Sequence, residues 1–120
     1  MKRIYYSSGS VLTGDFVADA IVDYAELLAS RNSSAKVNFP AVLSNGGPGI
    51  VELLIGPVMA MMTVPEEVAR RVLQAWDEDV ACRTVRDLRA RIASLTLGER
   101  AAPHAVGSDR MDLIPDFGGL

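Results

Sequence analysis

The chain has 120 residues, 49% of them hydrophobic, and a net charge of −3. That length suits one domain with a real core, and the acidic balance argues against a surface built to neutralise nucleic-acid phosphates. The single cysteine, Cys82, excludes an intramolecular disulfide and a multi-cysteine metal site.

The apolar content is more than a small domain readily buries, so part of it is expected to cover a subunit interface. The longest apolar run, Ile50 to Val64, is broken by Glu52, Gly56 and Pro57 and is too short for a membrane span. Met1-Lys2-Arg3 leads into Ile4, Tyr5, Tyr6, Ser7 and Ser8, too polar for the apolar centre of a signal peptide. The expected setting is cytoplasmic, with no membrane contact.

In chain order, Arg3 to Ser7 is rich in strand formers and Val11-Leu12 resumes the pattern after Ser8-Gly9-Ser10, which predicts a short hairpin or bent strand. Thr13 or Gly14 then caps a helix reaching Arg31, with Asp15 in its first turn. Phe16, Val17, Ala20, Ile21, Tyr24, Leu27 and Leu28 form its apolar stripe and predict a core face. Asp15, Asp19, Asp23 and Glu26 fall together on another side, within an arc of roughly 80°. The Ser30 to Ser34 cluster ends the helix.

Val37, Phe39, Ala41 and Leu43 alternate with Lys36, Asn38, Pro40 and Val42, then Asn45-Gly46-Gly47 supplies the positive φ angles of a tight turn. A hairpin follows. Pro40 cannot donate to a ladder, which points to an edge position or a bulge in its first arm. The second arm, Ile50 to Ile55, is apolar on both sides except at Glu52, as in a central strand covered on both faces. Gly56-Pro57 bends the chain, and Val58 to Met62 is expected to pair once more.

Thr63-Val64-Pro65-Glu66 has the spacing of a capping box, with Val68, Val72, Leu73, Trp76 and Val80 marking one face of a second helix. Thr84 to Asp87 resembles another cap, followed by Val85, Leu88, Ile92 and Leu95 on one face of a third, with Gly98 as its stop. The order ββαββ(β)αα predicts an α+β two-layer sandwich: an antiparallel sheet of four to five strands covered by amphipathic helices. Residues 1–98 form the domain, and 99–120, aperiodic and holding Pro103, Gly107 and Pro115, read as a tail.

The chemistry on offer is thin. Nucleophilic catalysis wants a base beside the nucleophile, but the single histidine, His104, lies in the tail, and Cys82 reads as a small core residue. The glycines of 46–49 lead into a strand rather than a helix and lack the lysine of a phosphate loop, so they read as a turn. Along the acidic stripe, three like-charge spacings (15/19, 19/23, 23/26) cost about 0.6–1.5 kcal/mol, and the dipole returns on the order of 0.3–1 kcal/mol at Asp15. A solvated or arginine-paired face therefore explains the stripe without a ligand, and a straight row converges poorly on a cation. No metal and no cofactor are expected.

What remains favours association. Val58, Met59, Met61 and Met62 form an adaptable apolar cluster. Asp15, Asp19, Asp23 and Glu26 oppose Arg83, Arg86 and Arg89, together with Arg91, as complementary charges suited to an interface. The reading is a small non-enzymatic protein acting as a homo-oligomer or as a subunit with another protein. The alternative is a small-ligand-binding or enzymatic domain using carboxylates with Tyr5, Tyr6 and the Ser7 to Ser10 loop. A DNA-associated regulator working through Arg83 to Arg91 ranks third, and nucleic acid is an unlikely partner for an acidic chain. The segment Met111 to Phe117 alternates acidic and apolar residues, like a short docking peptide.

Overall fold

Tyr, Ile and Val concentrate where the chain extends, and runs rich in Ala, Leu and Arg where it coils. A computed structural model describes residues 1–57 and 59–101. Its elements are β1 (Lys2–Tyr6), β2 (Gly9–Thr13), α1 (Asp15–Ser30), β3 (Ala35–Val42), β4 (Pro48–Ile55), β5 (Met62–Pro65), α2 (Arg70–Ala75) and α3 (Glu78–Ala101). The strands form one antiparallel sheet in the order β4-β3-β2-β1-β5. The fold is thus the expected α+β arrangement. Val58, His104 and the docking-like segment 111–117 lie outside the described residues.

Residues directly opposite one another on neighbouring strands share a face. Ile4 and Val11 on the β1/β2 hairpin, and Val37, Phe39, Ala41, Leu53 and Ile55 on the β3/β4 hairpin, point to the side where α1 places Val17, Ala20, Ile21, Tyr24 and Leu28. That is the core. From α3, Ala81 and Leu88 are buried in it, and Val85, Ile92 and Leu95 pack at its border.

Gly14 is the N-cap of α1, with no side-chain cap bond. The helix ends in a Schellman arrangement. Ser33 donates its amide to the Leu28 carbonyl, Asn32 donates to Ala29, and Asn32 takes the left-handed φ of 52° that closes the turn. Between β3 and β4, Gly46 sits at φ 85° and Asn45 Oδ1 accepts the Gly47 amide at 2.8 Å.

Several expectations fail for identifiable reasons. β4 lies at the sheet edge, not at its centre, and its second apolar side is exposed at Ile50 and Leu54. Pro40 is interior, paired with Ile50 in an unbroken register. It is tolerated because β2 and β3 share only the Leu12↔Val42 pair. Beyond that pair, the buried Thr13 hydroxyl donates to the Pro40 carbonyl at 2.7 Å and replaces the ladder. Residues 63–66 form no capping box: Thr63 and Val64, β-branched strand formers, pair with Ile4 and Arg3 as part of β5.

The second helix shrinks to Arg70–Ala75 and buries no side chain. The third starts earlier, at Glu78, because Asp77 Oδ1 accepts the amides of Asp79 and Val80. Thr84 therefore lies inside a helix, with its hydroxyl bonded back to the Val80 carbonyl. Gly98 does not stop α3, which runs on to Ala101. Phe16, at the start of the apolar stripe, lies beyond the end of the core and is 72% exposed.

Candidate functional site

The acidic stripe of α1 is largely occupied within the chain. Asp15 meets the Met1 amine at 3.2 Å, Asp19 accepts from Lys2 Nζ at 2.8 Å, and Asp23 accepts from Arg89 at 2.7 Å. Glu26 is exposed. On α3, Arg89 is thereby engaged, and Arg91 lies over the Tyr24 ring at 5.9 Å while donating to the Lys36 carbonyl. Arg83 and Arg86 are exposed. The facing charges of α1 and α3 thus meet inside one chain, with Asp23–Arg89 joining the two helices.

A second ionic lock ties the two ends of the described β-region. Arg3 on β1 holds Glu66, just past β5, through two parallel bonds of 2.7 and 2.9 Å, and also donates to Ser10 Oγ at 3.2 Å. The hydrogen bond from Arg3 is the main cause that holds the Glu66 carboxyl below its usual range, and the same bond raises Arg3. The bond to Asp19 likewise raises Lys2.

Opposite the core, the sheet shows apolar side chains on both flanks. Ile50 and Leu54 on β4 stand in line with Glu52 between them. On the other flank Tyr5 pairs with Met62, and Val64 with Arg3. Tyr5, Met62 and Val64 are exposed. Leu12 and Pro40, between the flanks, are buried. The methionine cluster is therefore split: Met61 packs against the core, Met62 faces outwards from β5, Met59 is half-buried, and Val58 lies outside the described residues.

Two clefts add to these surfaces. One, of about 470 Å³, opens where the two hairpins diverge, between Arg3, Tyr6, Ser10, Leu12, Val42 and Ser44. It lies in the Tyr5 to Ser10 region, yet no carboxylate lines it. The other, of about 330 Å³, lies where the start of α1 meets α2 and α3, with Phe16, Leu73, Trp76 and Cys82 in its wall and Asp15 and Glu78 among its charged groups. Trp76 packs so closely over Gly14 that a Cβ there would come within 3.2 Å of the indole. Cys82 is exposed at this cleft rather than buried in the core.

No known family model matches the chain, and neither a curated protein nor a solved structure matches it significantly. Among the described residues no group of three or more His, Cys, Asp or Glu side chains gathers as a metal site. No described helix is long and apolar enough to cross a membrane.

Sequence patterning misses both the edge position of β4 and the cleft under α1. An all-apolar strand reads alike at a sheet centre and at a sheet edge that carries an apolar surface. The cleft has one legible signal: Phe16, Leu73 and Trp76 are apolar residues at the ends of short or truncated stripes, where a helix face runs out of core to cover.

Proposed function

We propose that this protein acts by association with a second copy of itself, through the outer edge of β4. The state of that strand carries the reading. It is eight residues long, carries its one proline at its first position (Pro48), is not paired on its outer side by any described strand, bears one charge, and leaves Ile50 62% and Leu54 58% exposed. A long apolar edge is a template for strand addition, which soluble chains normally block with charges, proline or brevity. The opposite edge is blocked in that way: β5 has four residues and ends at Pro65 beside the Arg3–Glu66 pair.

A two-fold axis across β4 pairs the strand antiparallel with its own copy, an isologous contact. In the register that sets Ile50 against Leu54 of the second copy, both exposed side chains find apolar neighbours, and the open backbone groups are satisfied. In that register residues 49–55 of the two strands pair, about 23 Å at roughly 3.3 Å per residue, with Pro48 beyond the paired stretch. The exposed charges Glu26, Arg83 and Arg86 remain available to orient partners, which affects encounter more than affinity. A cytoplasmic setting agrees with an exposed lone Cys82, because thiols stay reduced there.

The experiment is light scattering coupled to size exclusion over a range of concentrations, on the unaltered chain and on Leu54→Lys. The expected result is a dimer that Leu54→Lys converts to monomer with unchanged circular dichroism. A monomer at all concentrations, or a dimer indifferent to the substitution, would overturn the reading.

A further inference from the structure

The geometry points to the cleft between α1, α2 and α3 as a binding site for a small organic cation carrying an aromatic or bulky alkyl group. This inference is independent of self-association, since the cleft lies among the helices and not on the β4 edge.

Size comes first. At about 330 Å³ the cleft falls at the lower end of the range for small-ligand pockets. Its wall is apolar and partly aromatic: Trp76 lies over the start of α1, Phe16 stands 72% exposed, and Leu73 is exposed beside them. Phe16, in the first turn of α1, does not pack against the core. Facing a cavity with a second ring, it offers a second π surface to a guest.

Charge then selects the guest. The charged groups that line the cleft are two carboxylates, Asp15 and Glu78, and one cation, the Met1 amine, with no lysine or arginine. Asp15 is engaged by the Met1 amine, whereas Glu78 has no ion pair with any described residue. With Asp15 and the Met1 amine paired, Glu78 leaves the cleft's side chains with a net negative charge, which disfavours an anion. An ammonium group gains from that carboxylate and from the Trp76 and Phe16 rings in the wall, a carboxylate beside aromatic rings being the combination that recognises quaternary ammonium ligands. Its hydrocarbon part occupies the apolar wall.

The chain carries its own reporters. Trp76 is its one tryptophan and Cys82 its one cysteine, and both line the cleft. The probe is phenyltrimethylammonium, with 2-phenyl-2-propanol as its water-soluble neutral isostere and benzenesulfonate as an anion of similar size. Titration with the cation is expected to change Trp76 fluorescence saturably, below about 10 mM, and to slow alkylation of Cys82 along the same curve. The neutral isostere is expected to bind about tenfold more weakly, and the anion not to saturate. Glu78→Gln, at an exposed position where folding is checked by circular dichroism, is expected to weaken the cation severalfold and leave the isostere unchanged. Absence of saturation with the cation, equal binding of the isostere, or an unaltered affinity in Glu78→Gln would each overturn the inference.

Discussion

Thr13 shows how one side chain resolves a conflict between sequence and fold. Pro40 occupies an interior strand, where a missing amide ordinarily disrupts pairing. The β2–β3 ladder is already reduced to the Leu12↔Val42 pair, and the buried Thr13 hydroxyl takes the carbonyl that the ladder leaves open, at 2.7 Å. Thr13 is the one buried polar residue of the described chain, so its partner matters more than an exposed bond of equal length. Thr13→Val keeps the volume and strands the Pro40 carbonyl out of water. The expected cost is about 1–3 kcal/mol, read as a lower urea midpoint at unchanged m-value. An unchanged midpoint would show that the hydroxyl contributes nothing to the seam.

At the scale of elements, β5 is a short edge strand whose end is tied to β1 by an ion pair and by the Glu66 amide donating to the Met1 carbonyl. Its four residues pair only with β1, and its far end is tied by Glu66 to Arg3. Glu66 titrates lower in the folded chain than in the unfolded one, because Arg3 favours its charged form. Its contribution is therefore present above the unfolded carboxyl's range and is lost as pH falls through the lowered folded value. Lys2, raised by Asp19, behaves oppositely: its contribution is complete at neutral pH and lost only as pH rises through its raised value. Amide exchange of Thr63 and Val64 is expected to accelerate on acidification after correction for intrinsic rates, and Glu66→Gln to remove that acid limb. An acid limb that persists in Glu66→Gln would assign the effect to another carboxyl. Legibility also divides at this scale. The β1/β2 and β3/β4 hairpins and α1 were readable because alternation, Asn45-Gly46 and the 3.6-residue stripe are local signals. A further strand is expected over Val58 to Met62, but its place at Met62–Pro65 and the shortness of α2 were not legible, because Thr63-Val64-Pro65-Glu66 satisfies a helix start and a strand end equally well, and pairing with β1, some sixty residues away, decides between them. The acidic stripe was legible as a face that needs no ligand, but only the packing of α1 against α3 brings Asp23 to Arg89.

For the whole molecule, the proposed assembly makes a demand on Glu52. A two-fold axis that sets Ile50 against Leu54 of the second copy passes through residue 52, so the two Glu52 side chains stand directly opposite each other. Like charges so placed are unfavourable, by roughly 0.2–1 kcal/mol on the scale of cross-strand pairs. Glu52 then acts as a gatekeeper on an otherwise apolar edge, weakening an association that would run on into aggregation without it. Glu52→Gln removes the repulsion and keeps the shape, and is expected to tighten the dimer about two- to fivefold. Glu52→Lys restores repulsion between identical copies, yet mixed with the unaltered chain it places opposite charges face to face. The mixed dimer is therefore expected to form in preference to either parent. Sedimentation equilibrium on the separate and mixed samples reads all three constants. A two-fold contact through the Tyr5–Met62 flank leaves them equal, because Glu52 lies at the other side of the sheet.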